Sequence, residues 1–346
     1  MTFTVTLQPS GRSFDVDADE TVLQAAIRQG VGLPYGCRDG ACGSCKSRLL
    51  AGHVALGEHQ AKALSADEEA AGLTLTCCAR PLTDLAIEAR TVVGAGDFPP
   101  RKMPSRVMSI ERPAPDVAIV KLQLPANEIL RYRAGQYVEV ILRDGGRRSY
   151  SLANAPHTQD AAPGIELHLR HMPGGVFTDQ VFGSLKEKDI LRLEGPYGSF
   201  YLREASAKPM VLLASGTGFA PIKAIIEQMQ NKGSTRSATL YWGGRRAQDL
   251  YLQSWVQSKL KEMPQLRYVA VISDALPEDL WSGRTGFVHL AVLQDFPDLS
   301  GHQVYACGAP IMVDSARADF LRCGLPDDEF YADSFTSEAD KARVPA

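Results

Sequence analysis

Cys37, Cys42 and Cys45 stand in a C-x4-C-x2-C spacing, and 31 residues separate Cys45 from Cys77. Four thiolates spaced this way suit a [2Fe–2S] cluster, which cysteine sulfurs alone can hold. The gaps contain Arg38-Asp39-Gly40-Ala41 and Gly43-Ser44, mostly small residues. Small residues let backbone N–H groups approach the sulfurs closely. Structural zinc asks for a second C-x2-C or a histidine pair, and Cys77-Cys78 supplies neither. Disulfides fit poorly with a chain that opens Met-Thr-Phe-Thr-Val and shows no apolar secretory segment. A Rieske centre needs two histidines, and none lies within two residues of these cysteines. The metal ligands expected are Cys37, Cys42, Cys45 and Cys77, and the chemistry is one-electron transfer.

The elements that must position these thiols are legible nearby. Thr2–Leu7 alternates as a strand does. Thr21-Val-Leu-Gln24 is a capping box that opens a helix, and Gly30 can end it. A second capping box, Ser65-Ala-Asp-Glu68, opens a short helix ending near Gly72, and Leu73–Cys77 then alternates as a strand. Residues 1–92 therefore predict a β-grasp ferredoxin domain, which the sequence resembles throughout.

The chain has 346 residues, enough for about two or three domains with cores of their own. A formal charge of −3 gives no basic footprint for nucleic acid. No apolar run reaches the roughly 18 residues a membrane helix requires. With no targeting segment visible and seven cysteines in no disulfide pattern, the expected compartment is the cytoplasm. Asp97–Pro104 reads as a stiff, proline-rich linker. Over 103–204, short alternating runs at 118–124, 137–142, 165–169 and 189–193 predict an antiparallel β-barrel. Over 208–338, the solid apolar run Met210–Ala214 and further runs at 238–242, 268–272 and 303–306 predict an α/β parallel-sheet nucleotide-binding domain.

Within the barrel, Arg148-Ser149-Tyr150-Ser151 follows Ala134-Gly-Gln-Tyr137 and precedes Gly174-Gly175-Val-Phe-Thr178 and Gly195–Phe200. Alone, the tetrapeptide is compatible with an edge strand entering a turn. The ordered set resembles the flavin barrel of the ferredoxin–NADP reductase superfamily. That resemblance implies FAD, because relatives with the iron–sulfur domain first hold FAD. It implies Arg148 on phosphate with Ser149 beside it, Tyr150 against the isoalloxazine, and Ser151 near the reactive flavin nitrogen. It also implies Gly174, Gly175 and Thr178 as a loop entering a helix, where N–H groups and the dipole favour pyrophosphate. Arg170 is open between a phosphate contact and a solvated strand residue.

Gly216-Thr217-Gly218-Phe-Ala-Pro221 follows the buried run and opens a helix. Its glycines permit close approach to a phosphate and Pro221 suits a first helical turn, but a plain strand-to-helix turn would look the same. After a flavin barrel it matches the superfamily's nicotinamide loop, which puts Thr217 near the nicotinamide. The resemblance likewise implies Cys307, in Cys307-Gly308-Ala-Pro310, at the point of hydride transfer. It implies that Phe330–Phe335, with Asp333 and Phe335, closes over the flavin; many relatives carry Glu where Asp333 stands. Cys78 and Cys323 read as inert packing, and neither His168 nor His171 reads as a ligand. Arg245 and Arg246 follow the strand at 238–242, where the ribose 2′ position is expected, and they could hold a 2′-phosphate and favour NADPH. Gly-x-Arg followed by Asp249-Leu250 also resembles the NADH-using oxygenase reductases, with Asp249 able to repel that phosphate, and NADH is expected over NADPH.

In this order of segments the chain resembles the [2Fe–2S]/FAD/NAD(P)H reductase components of bacterial oxygenases. It is equally similar in layout to the CDP-6-deoxy-Δ3,4-glucoseen reductases. The resemblance implies electron transport from NADH through FAD and the cluster to a partner protein, a terminal oxygenase or another one-electron acceptor.

Overall fold

The computed structural model describes residues 1–336 other than 91, 95 and 162. Packing divides the chain into two compact units, Met1–Pro100 with Pro196–Ser199, and Arg101–Gly195 with Phe200–Phe335.

In the first unit, β1 (Thr2–Gln8) and β2 (Ser13–Asp17) form a hairpin, and α1 (Val22–Arg28) follows. The expected capping box is present: Thr21 Oγ1 accepts from Gln24 N, and Thr21 N donates to Gln24 Oε1. Gly30 turns the chain out of the helix at φ +65°, a left-handed conformation that costs glycine little. β3 (Lys46–Ala51), β4 (Val54–Leu56), α2 (Ala66–Ala70), β5 (Leu73–Leu75), β6 (Ala79–Pro81) and β7 (Leu85–Glu88) complete it. The sheet order is β2-β1-β7-β3-β5, with β1 parallel to β7, and α1 buries Val22, Leu23, Ala25 and Ala26. The strand expected to run to Cys77 stops at Leu75, so Cys77 and Cys78 lie in the turn that follows.

The second unit opens with β8 (Arg101–Ala114), a 14-residue strand where the prolines suggested a linker reaching to Pro104. Pro104 faces Arg192 across the ladder, so the extended linker ends before Arg101. β9 (Val117–Gln123), β10 (Tyr137–Ile141), β11 (Arg147–Ser151), β12 (Gly164–Arg170), α3 (Val176–Gly183) and β13 (Ile190–Tyr197) follow. Their order is β11-β10-β13-β8-β9-β12, and an antiparallel bridge between Leu152 and Leu167 joins the two edges into a barrel. Val120, Leu122, Val138, Leu167 and Leu193 fill its interior.

β14 (Met210–Ser215), α4 (Phe219–Asn231), β15 (Ala238–Gly244), α5 (Gln253–Glu262), β16 (Leu266–Ile272), β17 (Arg284–Thr285), α6 (Val288–Asp295), β18 (Gln303–Gly308), α7 (Pro310–Arg322) and β19 (Phe330–Ser334) make the rest. The strands are parallel in the order β17-β16-β15-β14-β18-β19. Alternate residues of β14 face opposite cores: Leu212 packs with α4 and Val256, Val211 with α6 and α7. A strand buried on both faces needs the unbroken apolar run seen at 210–214. The chain winds outward from β14 to β17, then returns to β18 on the other side. Ligands of such sheets bind outside the carboxyl ends of the strands at that switch point. The Gly216 loop ends β14 and the Cys307-Gly308 turn ends β18.

Candidate functional site

The four expected thiols fall into two pairs. Cys45 Sγ lies 3.2 Å from Cys77 Sγ. Cys42 Sγ accepts from Cys37 N at 3.5 Å and from the Cys37 thiol, which lowers the Cys42 pKa to about 6. Ala41 N points at Cys37 Sγ from 3.4 Å. Among the described residues no group of three or more His, Cys, Asp or Glu side chains converges on a single ion. A two-iron cluster asks for two thiolates at each iron, which two pairs fit. A Cβ on Gly40 would stand 2.8 Å from Cys78 Sγ and 2.9 Å from Glu58 O, so the close loop requires glycine there, at φ +76°.

The barrel brings Arg148, Ser149, Tyr150 and Ser151 to the end of β11. Arg147 and Arg148 are adjacent but differ in their partners. Arg147 is spent on Glu139 and Glu194 at 2.7 and 2.5 Å. Arg148 donates only to the Arg147 carbonyl and has no carboxylate partner among the described residues. An unspent guanidinium fits the phosphates of FAD. Tyr150 packs on Phe177 with ring centroids 5.4 Å apart, and burial pushes its phenol pKa up, so a neutral flat ring is presented.

Gly174 takes φ +83°, and a Cβ on Gly175 would meet Thr178 Oγ1 at 2.6 Å. The glycines supply the bend rather than the anion donors. Gly174 N donates to Asp179, Gly175 N to Met172 O, and Thr178 Oγ1 to Met172 O. The amides left open are those of Val176, Phe177 and Thr178 in the first turn of α3, which carries no side-chain cap. They fit a diphosphate as the glycine amides do not.

At the switch point two loops interlock. A Cβ on Gly218 would lie 2.2 Å from Cys307 O, and one on Gly308 would lie 2.2 Å from Ser215 Oγ. Ser215 Oγ accepts from Ala309 N at 2.9 Å. Thr217 is buried between these turns, and Pro221 sits in the first turn of α4, whose N-terminus has no side-chain cap. Cys307 and Asp333 are partners across the β18–β19 ladder. Their side chains meet, Cys307 Sγ 4.0 Å from Asp333 Oδ2, and Ser151 Oγ donates to the same oxygen at 3.0 Å. Burial raises the Cys307 pKa well above the usual thiol value, so the group stays a neutral thiol. Phe335 N donates to Gly308 O, which places its backbone beside the same turn. The structure thus gathers Ser151, Cys307 and Asp333 at one point, with Phe335 and Thr217 on the two turns beside it.

Sequence reading missed what holds this arrangement. Lys223 of α4 is buried and reaches Ala153 O at 3.1 Å, Glu227 at 2.6 Å and Glu166 at 3.2 Å. Ala155 N donates to Glu227. His168, fully buried, bonds Glu166 at 2.8 Å and Tyr251 Oη at 2.7 Å. Burial alone would push the Glu166 carboxyl up, but His168 and Lys223 hold it at about 2. Burial lowers the His168 pKa, so the carboxylate rather than the imidazole carries charge. This network ties the segment after Ser151 to the helix after Gly218. Arg170 adds a second tie, donating to Asp116 at 2.8 Å and Asp249 at 2.7 Å. It is half-buried and paired with both carboxylates.

Trp242 lies under the nucleotide loop. It stacks on Phe219 at 3.9 Å between centroids, and its Nε1 donates to Gly216 O at 3.0 Å. Trp242→Phe keeps a ring and removes that donor, a loss of about 1 kcal/mol or about fivefold in binding. The expected outcome is a KM for NADH raised by that factor at unchanged FAD content, read from steady-state kinetics; an unchanged KM contradicts it.

Comparison with known proteins agrees with this geometry. Residues 5–82 match the 2Fe-2S iron-sulfur cluster binding domain, 104–201 the oxidoreductase FAD-binding domain, and 212–318 the oxidoreductase NAD-binding domain. The CDP-6-deoxy-L-threo-D-glycero-4-hexulose-3-dehydrase reductase of Yersinia pseudotuberculosis is 40% identical over 335 residues, 97% of this chain and 99% of its own. The chain belongs to the iron–sulfur flavoprotein reductases. Terephthalate 1,2-dioxygenase reductase component 2 of Comamonas sp is 37% identical over 341 residues, 97% of this chain and 98% of its own. The crystal structure of the Amycolatopsis cytochrome P450 reductase GcoB superposes with a TM-score of 0.79 at 36% identity, over 97% of this chain and 99% of that one. The reductase carries a [2Fe–2S] cluster, FAD and a nicotinamide dinucleotide site, and passes electrons from NAD(P)H through FAD and the cluster to a partner. When bound, FAD supplies the exchange between two-electron and one-electron carriers. No helix among the described residues is long and apolar enough to cross a membrane.

Proposed function

We propose that this reductase takes electrons from NADH and delivers them singly to a terminal oxygenase in the cytoplasm. Cys37, Cys42, Cys45 and Cys77 ligate the cluster. Arg148, Tyr150 and the first turn of α3 hold FAD, with Ser149 and Ser151 along the same strand and Gly174, Gly175 and Thr178 shaping the phosphate turn. Gly216, Thr217, Gly218, Pro221, Arg245 and Gly308 receive the dinucleotide. Ser151, Cys307, Asp333 and Phe335 border the point where hydride moves. The observation that carries this reading is the meeting of Ser151 with Asp333 and Cys307 at the switch point. That meeting sets the end of the flavin strand against the turn at which a parallel sheet binds its nucleotide.

The oxygenase partner draws support from the Comamonas relative, a dioxygenase reductase component by name. A second reading, delivery to a CDP-hexulose dehydrase, draws support from the 40% identity of the Yersinia relative. One experiment separates them. The purified reductase and NADH are mixed with an aromatic-ring oxygenase component and substrate, or with the dehydrase and its CDP-sugar, and product is measured. Product with the oxygenase and none with the dehydrase is expected. The reverse result moves the assignment to the second reading, and product with neither rejects both.

A further inference from the structure

Arg246 stands where an arginine ordinarily signals NADPH. β15 is the neighbour of the first strand of its sheet, and the residues after such a strand meet the adenosine ribose. An arginine there accommodates a 2′-phosphate, whereas a carboxylate binds a 2′-hydroxyl. In this chain the arginine is already engaged. Arg246 Nε donates to Asp279 Oδ2 at 2.7 Å and Nη2 to Asp279 Oδ1 at 3.0 Å, the two-point fork a guanidinium makes with a carboxylate. Nη2 also donates to Glu278 Oε1 at 3.2 Å.

Asp279 is held from a second side. Its Oδ2 accepts from Leu276 N at 2.9 Å, closing the turn that ends at Leu280 with φ +46°. The backbone offers no vacancy either, because Asp249 Oδ2 accepts from both Arg245 N and Arg246 N, at 2.7 and 3.1 Å. Arg246, Asp279 and Glu278 together carry a net negative charge. A 2′-phosphate entering here would have to draw Arg246 off two carboxylates and leave both beside a new anion. A 2′-hydroxyl asks only for an acceptor oxygen.

We propose that Asp279, seconded by Glu278, sets the dinucleotide preference by holding Arg246 away from a 2′-phosphate. This rests on the NADH reading above and names the residues that enforce it. Its test has two readouts. The first is kcat/KM for NADH and NADPH in the wild type, in Asp279→Asn with Glu278→Gln, and in the same double variant with Arg246→Ala. The second is the affinity of each holoprotein for 2′,5′-ADP relative to 5′-AMP, by isothermal titration. Asparagine keeps an acceptor for Leu276 N, so the turn survives; Glu278→Gln alone, at an exposed position, serves as a milder second variant.

The wild type is expected to favour NADH. In the double variant the NADH-to-NADPH ratio falls at least about tenfold, as loss of a charge-paired fork allows, and 2′,5′-ADP gains on 5′-AMP by a similar factor. Arg246→Ala cancels both gains. A wild type that prefers NADPH overturns the NADH reading and this proposal with it. A wild type that prefers NADH, combined with variants whose ratio and relative affinity do not move, overturns the proposal and leaves the NADH reading standing.

Discussion

Cys77→Ser is expected to abolish the electron paramagnetic resonance signal of the dithionite-reduced protein and its bound iron and sulfide, whereas Cys78→Ser leaves them intact. The two cysteines are adjacent, and spacing alone separates them by one residue. The structure separates them by partner. Cys77 Sγ faces Cys45 Sγ at 3.2 Å, completing the second thiol pair. Cys78 Sγ lies 3.6 Å from Cys77 Sγ but is engaged elsewhere, donating to Glu58 O at 3.4 Å and packing against Gly40. Metal binding by thiolates is part of such a domain's folding free energy, so losing one ligand of four costs the whole site rather than a quarter of it. If Cys78→Ser loses the signal and Cys77→Ser keeps it, the ligand assignment is wrong.

The second large effect belongs to the Ser151–Asp333 pair. Asp333→Ala removes the acceptor of the Ser151 hydroxyl and the group that Cys307 faces, in a place where both neighbours are buried. Small misplacements between two reacting rings are costly, about 10²-fold for roughly 1 Å. Flavin reduction by NADH, followed by stopped-flow absorbance at 450 nm, is therefore expected to slow about 10²-fold in Asp333→Ala and about tenfold in Ser151→Ala. FAD content and KM should change little, which distinguishes a misplaced reaction point from a damaged binding site. Asp333→Glu, with the same charge on a longer arm, should recover most of the rate. Near-wild-type flavin reduction in both alanine variants would remove Ser151 and Asp333 from the reaction point.

Some of this was legible in the sequence because local physics decides it. Both capping boxes form at Thr21 and Ser65, since each is a contact between residues three apart. The glycines at 216 and 218 could be read as special backbone positions: Gly216 takes φ +51°, and a Cβ on Gly218 would lie 2.2 Å from Cys307 O. What escaped depends on residues far apart in the chain. The link between Lys223 and Glu166 spans 57 positions, and nothing in Glu-Leu-His at 166–168 marks it as more than half of an alternating strand. Trp242 reads as the end of a buried run until its N–H is found on Gly216 O. The motif singled out Arg148, but that its neighbour Arg147 is spent on Glu139 and Glu194 shows only once the barrel brings them together. The prolines before β8 misled in the opposite direction, because sheet pairing overrode a composition that suggested a free linker.

The central claim is that a hydride enters at the Ser151–Cys307–Asp333 point and electrons leave singly through the cluster. Full-length Cys77→Ser, with FAD retained, tests it most directly when NADH-dependent reduction of ferricyanide and of cytochrome c is compared with wild type. Ferricyanide accepts electrons from the flavin itself, so its reduction should stay within about twofold of wild type, while cytochrome c reduction, which needs the one-electron exit, falls about tenfold or more. Equal cytochrome c reduction by the variant and the wild-type protein would contradict the account.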